Sequence, residues 1–260
     1  MGSILKTHNP DGPSTWDKDK TEVENEKLLW EIYEYSKRLI AESKQSILLV
    51  LQGMDASGKD GLTRQLFQKS SAAWVTVHSF KKPTDEEYAH DFLWRIHSRT
   101  PRHGMITVFN RSHYEDILVP SVYGFIDKKI IDKRYKQIND FETHLEANGT
   151  RVVKIYLNLS KSVQERKLLE RINTPEKHWK HSDGDWETRE RWDDFMDVYE
   201  KIFDKCNDIP WHIVPCNKNW TKVHAVAKIL IDTFKEMDPK YPTLDSEKFV
   251  PNYEKAKITY

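Results

Sequence analysis

Cysteine is nearly absent. Cys206 and Cys216 are the two in 260 residues, too few for a disulfide framework or a cysteine-based zinc site. They read as buried thiols in a reducing cytoplasm. No apolar run approaches the ~18 residues of a membrane span. Residues 1–20 lack the apolar stretch of a secretory signal. Net charge is missing too. Lysine plus arginine number 41 and aspartate plus glutamate 41, so bulk charge gives no reason to expect nucleic acid or a membrane as partner. Any anion site must come from local clustering. What the chain does have is length enough for a large core, and 12% aromatic residues, too many for a disordered polymer.

Residues 1–21, rich in Pro, Gly, Asp, Ser and Thr, have no period and predict an arm that either drapes over the domain or is disordered. From Thr21 to Ser43 the residues Leu28, Leu29, Ile32, Tyr33, Tyr35, Leu39 and Ile40 recur at helical spacing. Ser46–Leu51, SILLVL, is a continuous β-branched and leucine run, as in a strand buried on both faces. The same alternation recurs. Trp74–Phe80 precedes a helix near Asp85–Ser98, and Met105–Phe109 precedes one starting near Ser112. Val152–Leu157 precedes Lys161–Ile172, and Trp211–Val214 precedes Lys222–Phe234. Five such strands predict an α/β fold, a five-stranded parallel sheet between helices. The expected organisation is an arm over 1–21, a domain over 22–242 and a tail over 243–260. Residues 174–186, with Pro175, Gly184 and many charges, look like a mobile excursion at one edge.

The first strand ends in GMDASGKDG, Gly53–Gly61. Gly53, Gly58 and Lys59 fit the G-x-x-x-x-G-K frame of a phosphate loop, in the strand-to-helix setting the motif requires. In such a loop backbone N–H groups curl round a phosphate, the helix offers its positive end, and the lysine adds a point charge. Asp60 stands where a Mg²⁺-binding Ser or Thr is usual, and Asp55 lies inside the loop. A carboxylate among phosphates is favourable when a divalent cation sits between them, so Asp55 reads as the metal ligand; the alternative is a turn residue. The third strand runs into Asn110 where an aspartate is usual, followed by Arg111, Glu115 and Asp116. Asn110 and Glu115 are the further metal candidates.

Arg95–Arg111 holds four arginines, two histidines and no acid. Lys81 and Lys82 follow the second strand, on the edge where α/β sheets bind ligands. The cluster Lys128, Lys129, Lys133, Arg134 and Lys136 is either a solvated face or part of the same basic surface. Arg166, Arg171, Lys177 and Lys180 lie in a segment, about 161–195, that reads as a helical lid able to exclude water from the transfer step.

Together, GMDASGKDG, FNRSHYED, RINTPEKHWKHSDGDW and PWHIVPCNKNW, in this order between about Glu24 and Pro242, resemble the polyphosphate kinase 2 family. The resemblance implies a P-loop kinase core with a helical lid. It implies direct in-line phosphate transfer between inorganic polyphosphate and a purine nucleoside mono- or diphosphate, with Mg²⁺ or, alternatively, Mn²⁺. It also implies a cytoplasmic homodimer or homotetramer. The family's catalytic positions fall on Asp55, Lys59, Arg111 and Arg171. Phosphate and nucleotide contacts are expected from Gly53, Met54, Ala56, Ser57, Gly58, Asp60, Gly61, Lys81, Lys82, Asn110, Arg134 and Lys177. His113 is read as a structural group, since in-line transfer needs no histidine intermediate. Asn110 is either a natural variant of the motif or a substitution that slows the enzyme. Two other readings stay open: a nucleoside or nucleotide kinase using ATP, and a non-catalytic protein that binds polyphosphate or nucleotide.

Overall fold

Ser46–Gln52 forms strand β1, and all of its residues are buried. The computed structural model describes residues 3–246, 248, 249 and 251, so most of the expected tail over 243–260 lies outside the described residues. The other strands are β2 (Val75–Ser79), β3 (Ile106–Asn110), β4 (Thr150–Asn158) and β5 (Trp211–Pro215). They form one sheet in the order β2-β3-β1-β4-β5, with every pair parallel.

Chain order explains the layers. A short helix α1 (Ile4–Thr7) and the long α2 (Lys18–Glu42) precede β1. Helix α3 (Lys59–Leu66) leads to β2, then α4 (Asp85–Ala89) and α5 (Trp94–His97) lead to β3. Helices α6 (Glu115–Tyr123) and α7 (Lys128–Ala147) precede β4. Next come α8 (Lys161–Asn173), a 3₁₀ turn at Pro175–Lys180, α9 (Asp183–Glu190) and α10 (Trp192–Lys205). After β5, α11 (Asn219–Met237) closes the domain. Within β1 the period of two divides the apolar run between two cores. Ile47, Leu49 and Leu51 join Leu29, Ile32 and Leu39 of α2 and Leu230 and Phe234 of α11. Leu48 and Val50 join Phe109, Tyr114, Ile138 and Tyr199 on the opposite face. Each such buried side chain contributes about 1.5–3 kcal/mol.

The structure chooses between the two readings of the arm and departs from the sequence expectations at three places. The arm drapes over the domain: Ile4 N and Leu5 N each donate to Glu200 at 2.9 Å, Asn158 Nδ2 donates to His8 O at 2.8 Å, and Pro10 O accepts from Cys216 N at 3.0 Å. Helix α2 starts at Lys18, because Asp17 caps it by accepting from Lys20 N at 3.0 Å. The expected helix over Asp85–Ser98 is two short ones. The chain is extended at His90, and Asp91 Oδ1 then accepts from Leu93 N at 3.0 Å, restarting the turn. Helix α7, not anticipated as an element, buries Ile131, Tyr135, Ile138, Phe141 and Leu145, and α10, beyond the 174–186 excursion, buries Phe195, Val198, Tyr199, Ile202 and Phe203. Among the described residues no helix is long and apolar enough to cross a membrane.

Candidate active site

Parallel register sets the site. Leu51 of β1 pairs with Asn110 of β3, so the turns after both strands emerge side by side at the carboxyl edge. After Gln52 the chain makes a tight loop. Gly53 has φ 146°, and a Cβ there would stand 3.0 Å from Leu157 O. Gly58 has φ 80°, and a Cβ there would stand 2.7 Å from Lys222 Nζ. Ala56 takes the left-handed region at φ 64° without being glycine. Met54 and Ser57 are buried, whereas a Cβ on Gly61 would meet open space.

Lys59 begins α3 and is buried, its ammonium folded back onto the loop. It donates to Gly53 O at 2.7 Å and, at 3.4 Å, to Met54 O and Ser57 Oγ. Burial lowers its pKa, against the opposing pull of the Asp55 carboxylate. Arg111 sits at φ 62°, a strained conformation for a side chain with a Cβ. Its Nη2 donates to Asp55 Oδ1 at 2.6 Å. Burial works against the Arg111 charge, but Asp55 and Glu115 more than offset it and raise the pKa above the ordinary arginine value. Burial also raises the Glu115 pKa, with Arg111 and Lys59 opposing.

At the loop's other corner the Asn110 amide donates to Asp60. Arg171, at the end of α8, donates to Lys180 O at 3.1 Å and pairs with Asp185 of α9. The Asp185 pKa is raised, by burial first and then by the neighbouring Asp55 charge. The loop, the 111–115 turn and α9 thus converge on a cleft of about 270 Å³. Asp55, Arg111 and Glu115 line it together with the apolar side chains of Leu118, Tyr123 and Phe195.

Of the expected site residues, Gly53, Met54, Asp55, Arg111 and Glu115 line that cleft, and four others are exposed or engaged elsewhere. Lys81 and Lys82 are exposed beyond β2, with Lys81 O accepting from Arg95 Nη1 at 2.9 Å. Arg134 is spent on structure: it donates to Asp116 O and its guanidinium lies 4.7 Å from the Phe92 ring centroid. Lys177 pairs with Glu170 on the outside of α8.

Other contributors escaped sequence reasoning. Lys222, in the first turn of α11, is buried and donates to Ser57 O at 3.0 Å and Gly58 O at 3.3 Å, holding loop carbonyls from behind. Gln164 Nε2 donates to Asp55 O at 3.1 Å. Cys216 Sγ donates to Ser57 O at 3.0 Å, and burial pushes its pKa up, so the thiol is structural. Only the position of Lys222, one turn into the helix after the last strand, could have hinted at its role. Both carboxylate ligand candidates and one orphan acceptor, the buried Gln52 Oε1, suit a hard cation such as Mg²⁺. Among the described residues no three His, Cys, Asp or Glu side chains cluster as a metal site by themselves, so such an ion would be shared with substrate phosphates.

A phosphate loop at the carboxyl edge of a 2-3-1-4-5 parallel sheet, faced by an arginine turn and a helical excursion, defines a P-loop kinase core. The comparisons with known proteins narrow it further. The family model described as polyphosphate kinase 2 matches residues 15–242. An AMP/ADP-polyphosphate phosphotransferase of Meiothermus ruber is 42% identical over 216 residues, 82% of this chain and 81% of the relative. An ADP-polyphosphate phosphotransferase of Rhodopseudomonas palustris is 40% identical, covering 78% and 75%. The crystal structure of polyphosphate kinase 2 from Arthrobacter aurescens TC1 superposes with a TM-score of 0.91 at 38% identity, covering 98% of this chain and 93% of that one. The chain belongs to the polyphosphate kinase 2 family.

Proposed function

We propose that this chain transfers a phosphoryl group between inorganic polyphosphate and a purine nucleoside mono- or diphosphate. The observation that carries the reading is the cleft beside the phosphate loop. Arg111 and Asp55, paired at 2.6 Å, share its lining with Leu118, Tyr123 and Phe195, a charged and an apolar set that suit a phosphate and a nucleoside. Lys81 and Lys82, exposed after β2 at the same carboxyl edge of the sheet, are the cations proposed to meet the polyanion.

In the forward direction an oxygen of the nucleotide's terminal phosphate attacks the end phosphorus of the chain. The new P–O bond forms as the bridging P–O bond breaks, and the polyphosphate leaves one unit shorter as its own oxyanion. The protein's task is positioning and charge neutralisation. Lys59 trades the Gly53 carbonyl for a phosphate oxygen, Arg111 stabilises the equatorial oxygens, and Arg171 leaves Asp185 as α8 and α9 fold over the cleft. Asp55, with Glu115 and the Asp60–Asn110 corner as further candidates, would hold Mg²⁺, or Mn²⁺ in its place. The ion, when bound, neutralises charge shared between donor and acceptor phosphates. Direct transfer leaves no role for a histidine intermediate, in keeping with a His113 that faces Glu142 and not the cleft.

The test is ATP formation from ADP and long-chain polyphosphate with Mg²⁺ and no second nucleotide, repeated with AMP and GDP. Formation of nucleoside triphosphate supports the reading, and turnover only when ATP is supplied as donor overturns it in favour of an ordinary nucleotide kinase. A cytoplasmic homodimer or homotetramer belongs to the same proposal, and light scattering on the eluted protein checks the assembly.

A further inference from the structure

The turn that carries Arg111 and Glu115 is fastened from beneath by a buried charged cluster with no part in the chemistry above. His113 Nε2 lies 3.0 Å from Glu142 Oε1, and the Tyr114 hydroxyl donates to the same oxygen at 2.8 Å. Lys154 Nζ donates to Glu142 Oε2 at 2.7 Å, to the Tyr114 oxygen at 2.9 Å and to Cys206 O at 3.0 Å. All four side chains belong to fully buried residues, each 0% exposed. Burial opposes ionisation of Glu142, but the bonds from His113 and Lys154 prevail and hold its pKa below the ordinary carboxyl value. An ionised carboxylate only accepts, so His113 Nε2 carries the hydrogen.

Stability alone does not call for such a cluster. Apolar side chains of similar volume often serve as well as a buried ion pair or better, and Phe141 and Trp211 already surround it. What charged bonds supply is direction. Arg111 is held in a left-handed conformation, at φ 62°, that persists only where its surroundings over-determine it. The residues that follow are gripped from three elements. Lys154 reaches from β4 and Glu142 from α7. From the end of β1, Gln52 Nε2 donates to Ser112 Oγ at 3.4 Å, and that oxygen also accepts from Tyr114 N at 3.3 Å. Arg111 and Glu115, the two residues that face Asp55 and the phosphate loop, flank this gripped stretch.

We propose that Glu142 and Lys154 are positioning residues for phosphoryl transfer: by clasping His113 and Tyr114 they aim Arg111 and Glu115 at the phosphate loop. The role rests on the transfer reading, so one readout is independent of catalysis. The double variant Glu142→Gln/Lys154→Met removes both charges and leaves an amide oxygen for His113. Its Tm should stay within about 5 °C of the parent. Its kcat should fall about 100-fold, the scale of a group misplaced by an ångström, while KM for polyphosphate changes less than about twofold. In an Arg111→Ala background the same double change should cost less than about threefold, because the group it aims is gone. Hydrogen exchange should rise at the amides of residues 111–115 and stay unchanged in β1, whether or not the protein turns over. An unchanged kcat in the folded double variant overturns the proposal, as does an equal loss in both backgrounds. If the double variant does not fold, Tyr114→Phe, which deletes one hydroxyl, is held to the same criteria with about a tenfold loss expected. Absence of polyphosphate-dependent turnover in the parent would defeat the transfer reading, and exchange at 111–115 would then decide the clasp by itself.

Discussion

Replacing Lys59 with methionine should move stability and activity in different ways. In the folded chain the ammonium is 8% exposed and donates to Gly53 O at 2.7 Å. Burial lowers its pKa, with Asp55 opposing, so the folded state holds this proton less tightly than the unfolded chain does. The unfavourable contribution is therefore fully present below the folded pKa and fades as pH rises through it toward the unfolded value. Methionine removes that contribution and keeps most of the volume. Against this stands the lost bond to Gly53 O, about 1 kcal/mol, and less for the two bonds at 3.4 Å. The two terms oppose each other, so the net loss should not exceed that of the lost bond, about 1 kcal/mol, or a Tm fall of about 2–4 °C for a chain of this size. Activity has no such compensation. A preorganised cation on developing phosphate charge is worth about 3–4 kcal/mol, so ATP formation from ADP and polyphosphate should drop about 10²–10³-fold. Scanning calorimetry and a steady-state assay on the same preparation check both halves. A rate within about threefold of the parent in the folded variant would refute the phosphate role, and a Tm loss beyond about 10 °C would make Lys59 a structural pillar instead.

Asp55→Asn should lower the transfer rate about 100-fold and flatten its dependence on Mg²⁺ concentration, measured by titrating the metal. Its cost to stability should stay below about 1 kcal/mol, because the partner Arg111 is 41% exposed and the pair is screened by solvent. Affinity for long polyphosphate should fall steeply with added salt, as counterions are released from a polyanion, and Lys82→Ala should lessen that slope by roughly one ion in a binding titration. Asn110→Asp would set a second carboxylate against Asp60, where an N–H donor now sits. Like charges that close raise one pKa and cost stability at neutral pH, so thermal melts at pH 7 should show a loss that shrinks on acidification. Steady-state turnover should be flat or lower, and a large gain would show that the site was built for aspartate.

The sheet could be read from the sequence because its signal is local. Each strand is a short β-branched or apolar stretch followed by a turn and a helical period, recognisable without distant partners, although the edge strands β2 and β5 are not buried on both faces as the central ones are. The phosphate loop was visible for the same reason, since Gly53, Gly58 and Lys59 are contiguous in the chain. What escaped depends on distant partners. Helix α7 hides its apolar face, Ile131, Tyr135, Ile138 and Phe141, among lysines and reads as a basic patch. Arg134 belongs to that patch in sequence, yet folding turns it onto Phe92 and Asp116. Lys222 and Gln164 serve the loop across long sequence separations, and no motif connects them to it. The cluster under the arginine turn joins residues 113, 114, 142, 154 and 206, each unremarkable where it stands in the chain.

The Asp60–Asn110 corner shows why a departure from the usual motif need not be a defect. In the ordinary phosphate-loop arrangement a hydroxyl follows the lysine and a carboxylate ends the third strand, both close to the metal. Here the carboxylate follows the lysine and an amide ends the strand, and the two side chains bond to each other. The corner therefore still holds one carboxylate and one neutral polar group, with the two positions exchanged. Its net charge is unchanged, which matters more to a divalent ion among phosphates than which element supplies the oxygen. Asp55 then adds a carboxylate inside the loop, and Arg111 balances it at 2.6 Å. Arg171 is balanced in the same way by Asp185. Lys59 has loop carbonyls in place of an anion, so its charge is solvated but not neutralised. On the proposed reading, a phosphate entering the loop would meet the half-exposed Arg111 first, and the buried Lys59 would then exchange neutral carbonyl partners for a phosphate oxygen without breaking an ion pair.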